Sequence, residues 1–109
     1  MRVPRGSVIF DTSMINNNIS RLVEEYIEKD CSVFKAKEPI LVLSTLYEGE
    51  RIVIQRRYFV IGVGSIIVVC KDKEIPLPRS RYLVVEQDAW GELEVLEEAS
   101  AKSQSNTAQ

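Results

Sequence analysis

Histidine is absent from this chain. With it go the Ser-His-Asp and Cys-His arrangements, every imidazole metal ligand, and the side chain that most often moves protons near neutral pH. Carboxylates alone can catalyse, but they need a cleft between two flanking groups, and a chain of 109 residues leaves little room for one. The acidic groups Glu24/Glu25/Glu28 and Glu92/Glu94 fall on predicted solvent faces. Cysteine is scarce too. Cys31 and Cys70 form neither a metal-ligand spacing nor a Cys-x-x-Cys pair. With no basic-then-apolar leader at the N-terminus, the expected setting is cytoplasmic and the expected thiols are reduced. Cys70 then reads as a small hydrophobe. At Cys31, the influence of Lys29 is opposed by Asp30, so no activated nucleophile is expected.

Long apolar runs are also missing. Nothing approaches the ~20 residues that cross a bilayer, so no membrane partner is expected. Only five glycines occur. The stretch Gly62-Val63-Gly64-Ser65 lacks the third glycine, the lysine and the following helix of a phosphate loop, and reads as a turn between strands. No catalytic residue, metal or cofactor is predicted. Val3-Pro4-Arg5-Gly6-Ser7 reads like most of a thrombin cleavage site, and no function is drawn from it.

What is present is an ordinary globular balance, with 45% apolar and 28% charged residues and a net charge of −2. Val8-Ile9-Phe10 is a short strand candidate. Asp11, Thr12 and Ser13 are N-cap residues, and Ile15, Ile19, Leu22, Val23, Tyr26 and Ile27 form one apolar stripe. Together they predict a helix over 13–29. Beyond Pro39 the pattern turns to strands over 40–47, 51–61, 65–71, 81–87 and 92–96, with a hairpin loop at Glu48-Gly49-Glu50. Pro76 and Pro78 make 74–80 a loop or edge, and 88–91 reads as a turn. The expected fold is α+β: one amphipathic N-terminal helix packed on a four- to five-stranded, mainly antiparallel sheet, forming a single domain over 1–98. Residues 99–109 read as a disordered tail.

Strand 65–71 is apolar on both faces, with Ile66, Val68 and Cys70 pointing one way and Ile67 and Val69 the other. One helix covers about two strands, from its ~10 Å width and the ~4.8 Å strand spacing. Sheet surface is left over, and the N-terminal segment and a second copy of the chain are the expected covers. The charge pattern is uneven. Arg51, Arg56, Arg57, Lys71, Lys73, Arg79 and Arg81 face only Asp72 and Glu74 between 51 and 81, whereas 82–98 carries six acids and no base. If these segments were neighbouring strands, their side chains would pair across the sheet.

Two functions follow. The first is a non-enzymatic interaction module, acting as a homo-oligomer or as a subunit of a larger assembly. The second is a single-stranded nucleic-acid binder in which Arg51, Arg56, Arg57, Arg79 and Arg81 track phosphates while Tyr58 and Trp90 stack on bases. The Ile/Val/Glu-rich strands also resemble the composition of thermophile proteins.

Overall fold

A computed structural model describes residues 1–10, 19–70 and 81–98. The elements among them are β1 (Arg2–Val3), β2 (Val8–Phe10), α1 (Ile19–Glu28), β3 (Cys31–Ala36), β4 (Ile40–Glu48), β5 (Arg51–Ile61), β6 (Ile66–Cys70), β7 (Arg81–Val85), β8 (Ala89–Trp90) and β9 (Leu93–Glu98). Seven of these strands form one antiparallel sheet in the order β5-β4-β7-β2-β6-β3-β9, and β1 and β8 pair as a two-stranded ribbon.

The expected α+β fold with a helix on four or five strands is therefore corrected. The protein is dominated by strands, and its described helix has ten residues. The proposed caps at 11–13, the loop at 74–80 and the tail at 99–109 lie outside the described residues. Three strands escaped the sequence pattern. In β3, Ser32 and Lys35 interrupt the apolar residues, while Cys31 and Val33 serve one core cluster and Phe34 and Ala36 the other. β1 and β8 have two residues each, too few to show a period.

A short link shapes the sheet. β3 and β4 stand four positions apart in the strand order, which is ~19 Å in a flat sheet. Only residues 37–39 join them, and four Cα steps span at most ~14 Å. The sheet must curl until these strand ends meet. Backbone bonds fix the end of β3 to its sheet neighbours: Lys37 N–H donates to Glu92 O at 2.9 Å beside β9, and Ala36 N–H to Ser65 O at 2.9 Å and Gly64 N–H to Ala36 O at 2.8 Å beside β6.

Curling gives the sheet an inner and an outer face, each with its own core. All nine strands contribute to the inner cluster, which includes Val3, Ile9, Phe34, Val42, Ile67, Val85, Ala89 and Leu93. The outer cluster contains Val8, Phe10, Cys31, Val33, Ile66, Val68 and Tyr82, closed by Tyr26 and Ile27 of α1. β6 alternates between the clusters, as its two-sided apolar sequence implies. Val3 is fully buried and Ser7 nearly so. Gly6 takes a positive φ of 91° while its N–H donates to Val85 O, so residues 3–7 are an integral part of the fold.

Helix α1 ends at Glu28, and the turn beyond it is closed by Asp30, whose φ of 63° lies in the left-handed region that Asp tolerates better than most residues. The chain then turns directly into Cys31. Antiparallel pairing sets Cys31 opposite Cys70 with Cα atoms 4.2 Å apart, and the two form a disulfide. The reduced thiols expected from sequence are thus corrected. Pairing register, which sequence spacing does not reveal, brings the two sulfurs together.

A bond spanning 39 residues of chain is worth about 4 kcal/mol by the loop-entropy relation. Cys31→Ala/Cys70→Ala should lower unfolding stability by about 2–4 kcal/mol in denaturant titration. The unreduced protein, unfolded, should take up no thiol-alkylating reagent by mass spectrometry. A second site is equally confined: a Cβ on Gly91 would run into the buried side chain of Ile40. Gly91→Ala should cost about 1–3 kcal/mol through overpacking, read in the same titration.

Candidate functional site

The most exposed part of the sheet is the β4–β5 hairpin. Its two-residue turn has Gly49 at φ 67°, as a type II′ turn requires of its first position. Eleven-residue β5 stands at the edge of the sheet, bonded only to β4, and its other side makes no backbone hydrogen bond among the described residues. Two register shifts place extra residues in β5 relative to β4 and increase its local twist.

Along β4, Ile40 and Val42 enter the inner core. Leu41 and Leu43 therefore lie on the outer face, the face that carries α1. Val60 is the direct partner of Leu41, and Tyr58 that of Leu43. These four side chains make a continuous apolar strip, with Leu41 and Tyr58 each 59% exposed and Val60 69%. The main packing partners of helix α1 are β3 and β9. Ile52 and Val53 extend the exposed apolar surface of β5 toward the turn.

The basic residues singled out from sequence are dispersed. Arg51 and Arg81 flank one carboxylate: Arg81 Nε donates to Glu48 Oε2 at 3.0 Å, and Arg51 Nη2 lies 3.8 Å from Glu48 Oε1. Arg57 sits over the Phe59 ring, 4.9 Å from its centroid, on the inner face. Arg56 is exposed, leaves β5 on the opposite side, and has no ion pair among the described residues. Tyr58 lies on the outer face. Trp90 is 73% exposed but belongs to the β1–β8 ribbon, opposite Arg2. Arg79 lies outside the described residues.

The acidic and basic segments are not neighbours. Asp88 pairs with Arg2 at 3.5 Å and Glu92 with Lys37 at 3.8 Å. Strand β9, which carries Glu94, Glu97 and Glu98, forms the far edge of the sheet from β5. Sequence separation gave no sign of this, because β9 reaches its place by pairing with β3.

A hollow of about 260 Å³ is lined mostly by apolar side chains, among them Ile9, Leu46, Phe59 and Leu83, with Arg81 the one charged group. It falls below the roughly 300–1,000 Å³ of typical small-molecule sites. Among the described residues no three His, Cys, Asp or Glu side chains gather as metal ligands, and no helix is long and apolar enough to cross a membrane.

Two tyrosines of the outer core have raised pKa values. Tyr82 stacks on Tyr47, with ring centroids 5.3 Å apart, and donates its hydroxyl to Gly49 O at 3.1 Å. Burial, with smaller contributions from Tyr47 and Glu50, raises its pKa. Tyr26 lies against Phe10. Burial first, then the Glu25 carboxylate and Tyr82, push its phenol up to about 12. A raised folded-state pKa leaves stability intact below the unfolded value near 10 and removes it as pH climbs toward 12. Tyr26 should account for about 2–3 kcal/mol of alkaline destabilisation in that window. Tyr26→Phe should flatten the decline in denaturant midpoint above about pH 10 and leave its slope near neutrality unchanged.

No protein-family model, curated protein or solved structure matches this chain.

Proposed function

We propose that the protein is a non-enzymatic interaction module that assembles with copies of itself. The observation that carries this reading is the apolar strip Leu41–Leu43–Tyr58–Val60 on an eleven-residue edge strand and its β4 partner, the far side of that strand making no backbone hydrogen bond among the described residues. Monomeric proteins blunt such edges with short strands, prolines or inward-pointing charges. β5 has two blunting devices, its register shifts against β4 and the inner-face Arg57, but it is long and contains no proline, and Tyr58 and Val60 stand exposed on its outer face. These are the groups that interface cores favour.

The non-enzymatic part of the reading rests on chemistry. The chain has no histidine, both cysteines are tied together, and the hollow holds a single charged side chain. A cytoplasmic location is compatible with the disulfide where intracellular proteins keep such bonds, as in hyperthermophiles. The Ile/Val/Glu-rich composition fits that setting.

The single-stranded nucleic-acid reading gains less support. A binding face needs its cations and rings together, whereas Arg51 and Arg81 share Glu48, Arg56 and Arg57 point to opposite faces, and Trp90 sits on another sheet.

Light scattering behind a sizing column should give a mass above 12.4 kDa that rises over a tenfold concentration range. A constant monomer mass would overturn the proposal. Leu41→Asp/Val60→Asp should weaken self-association by at least about tenfold, since half-burying these side chains is worth ~1–2 kcal/mol. Fluorescence anisotropy with labelled single-stranded oligonucleotides at low salt should show no binding. Tight, salt-sensitive binding would favour the nucleic-acid reading instead.

A further inference from the structure

The two edges of the seven-stranded sheet carry opposite charge. Edge strand β5 contains Arg51, Arg56 and Arg57 and no acid, while edge strand β9 contains Glu94, Glu97 and Glu98 and no base. Two-fold pairing of β5 with β5 of another copy would bring arginines together, and pairing of β9 with β9 would bring glutamates together. Each edge is thereby guarded against its own kind. Neither is guarded against the other.

We propose that copies associate head to tail, with β5 of one extending the sheet by pairing with β9 of the next. This rests on the self-assembly reading above and names its surfaces and polarity. The topology supplies a direction. Seven strands alternate in antiparallel order, so β5 and β9 at the two ends run the same way. A neighbour that continues the sheet with its faces in the same sense pairs its β9 parallel to β5, using the backbone groups that β5 leaves unbonded.

The same placement meets the apolar strip. Helix α1 lies on the outer face over β3 and β9. In a continued sheet the neighbour's α1 arrives on that face beside the exposed Tyr58 and Val60. The exposed side of α1 presents Glu24, Glu25 and Glu28, and the exposed cation on the outer face of β5 is Arg56. Hydrophobic cover and charge complementarity thus point to one neighbour in one orientation. A head-to-tail contact uses different surfaces on its two sides, so a pair keeps one free edge at each end, and association continues into rings or filaments.

Charge exchange between the edges tests this. Arg56→Glu/Arg57→Glu alters only β5, and Glu94→Lys/Glu97→Lys only β9. Thermal unfolding by circular dichroism confirms that each variant is folded before its mass is measured by light scattering. Each variant alone should remain monomeric at concentrations where the unaltered chain assembles. Mixed one to one, the two should assemble again, because every edge then meets its opposite. Raising the salt concentration should weaken assembly of the unaltered chain. If the unaltered chain assembles and either variant still does so alone, or the mixture stays monomeric, the edge pairing is wrong while the self-assembly reading stands. If the unaltered chain is a monomer throughout, both fail.

Discussion

The three-residue link 37–39 is the constraint on which the curl of the sheet depends. It ties β3 to β4, strands that the hydrogen-bond order holds four positions apart. A flat sheet cannot satisfy both requirements, because three residues cannot bridge its width. The sheet therefore curls, and the curl creates two surfaces with different roles. Its inner face collects side chains from all nine strands and is closed by the β1–β8 ribbon, where Gly91 N–H donates to Met1 O and the N-terminal ammonium donates to Gly91 O. Its outer face is covered by α1 over only part of its breadth.

The bare region follows from the same geometry. The curl draws the start of β4 against Gly91, on which Ile40 packs, while the far half of β4 and nearly all of β5 run on toward the hairpin turn. Glu48 sits at that end between Arg51 and Arg81, joining three strand termini beside the stacked Tyr47 and Tyr82 rings. Exposed pairs of this kind contribute little to stability, typically below about 1 kcal/mol each. Their effect is to neutralise two of the seven bases in segment 51–81 locally, leaving the middle of β5 as its accessible basic stretch.

The disulfide and the outer core reinforce each other. Cys31 follows the left-handed residue that closes the turn after α1, so the bond anchors the helix exit to β6. Tyr26 and Ile27, at the last turn of α1, pack where that anchor holds them. Helix position is thus set by a covalent link at its C-terminal end and by two large side chains next to it. Ten residues of helix have little stability alone, so this docking is what keeps α1 on the sheet.

The sequence by itself determined the local features. The β4–β5 hairpin was legible because Gly49 stands where positive φ is needed, and β6 because its two-sided apolar run has no other use. The apolar stripe through Tyr26 and Ile27 marked the helical face, and the pattern of charges marked β5 and β9 as opposite in sign. Tertiary structure alone decided how these parts combine. β3 was hidden because a strand serving two cores shows no alternation, and the Cys31–Cys70 pair because disulfide connectivity depends on register across 39 residues. The basic residues at 51, 56, 57 and 81 looked like one surface in the chain, yet strand pleating and shared carboxylates scattered them. Periodicity records what each segment does to its immediate neighbours. Strand order is a non-local choice, and here it placed the acidic and basic strands at opposite edges of the same sheet.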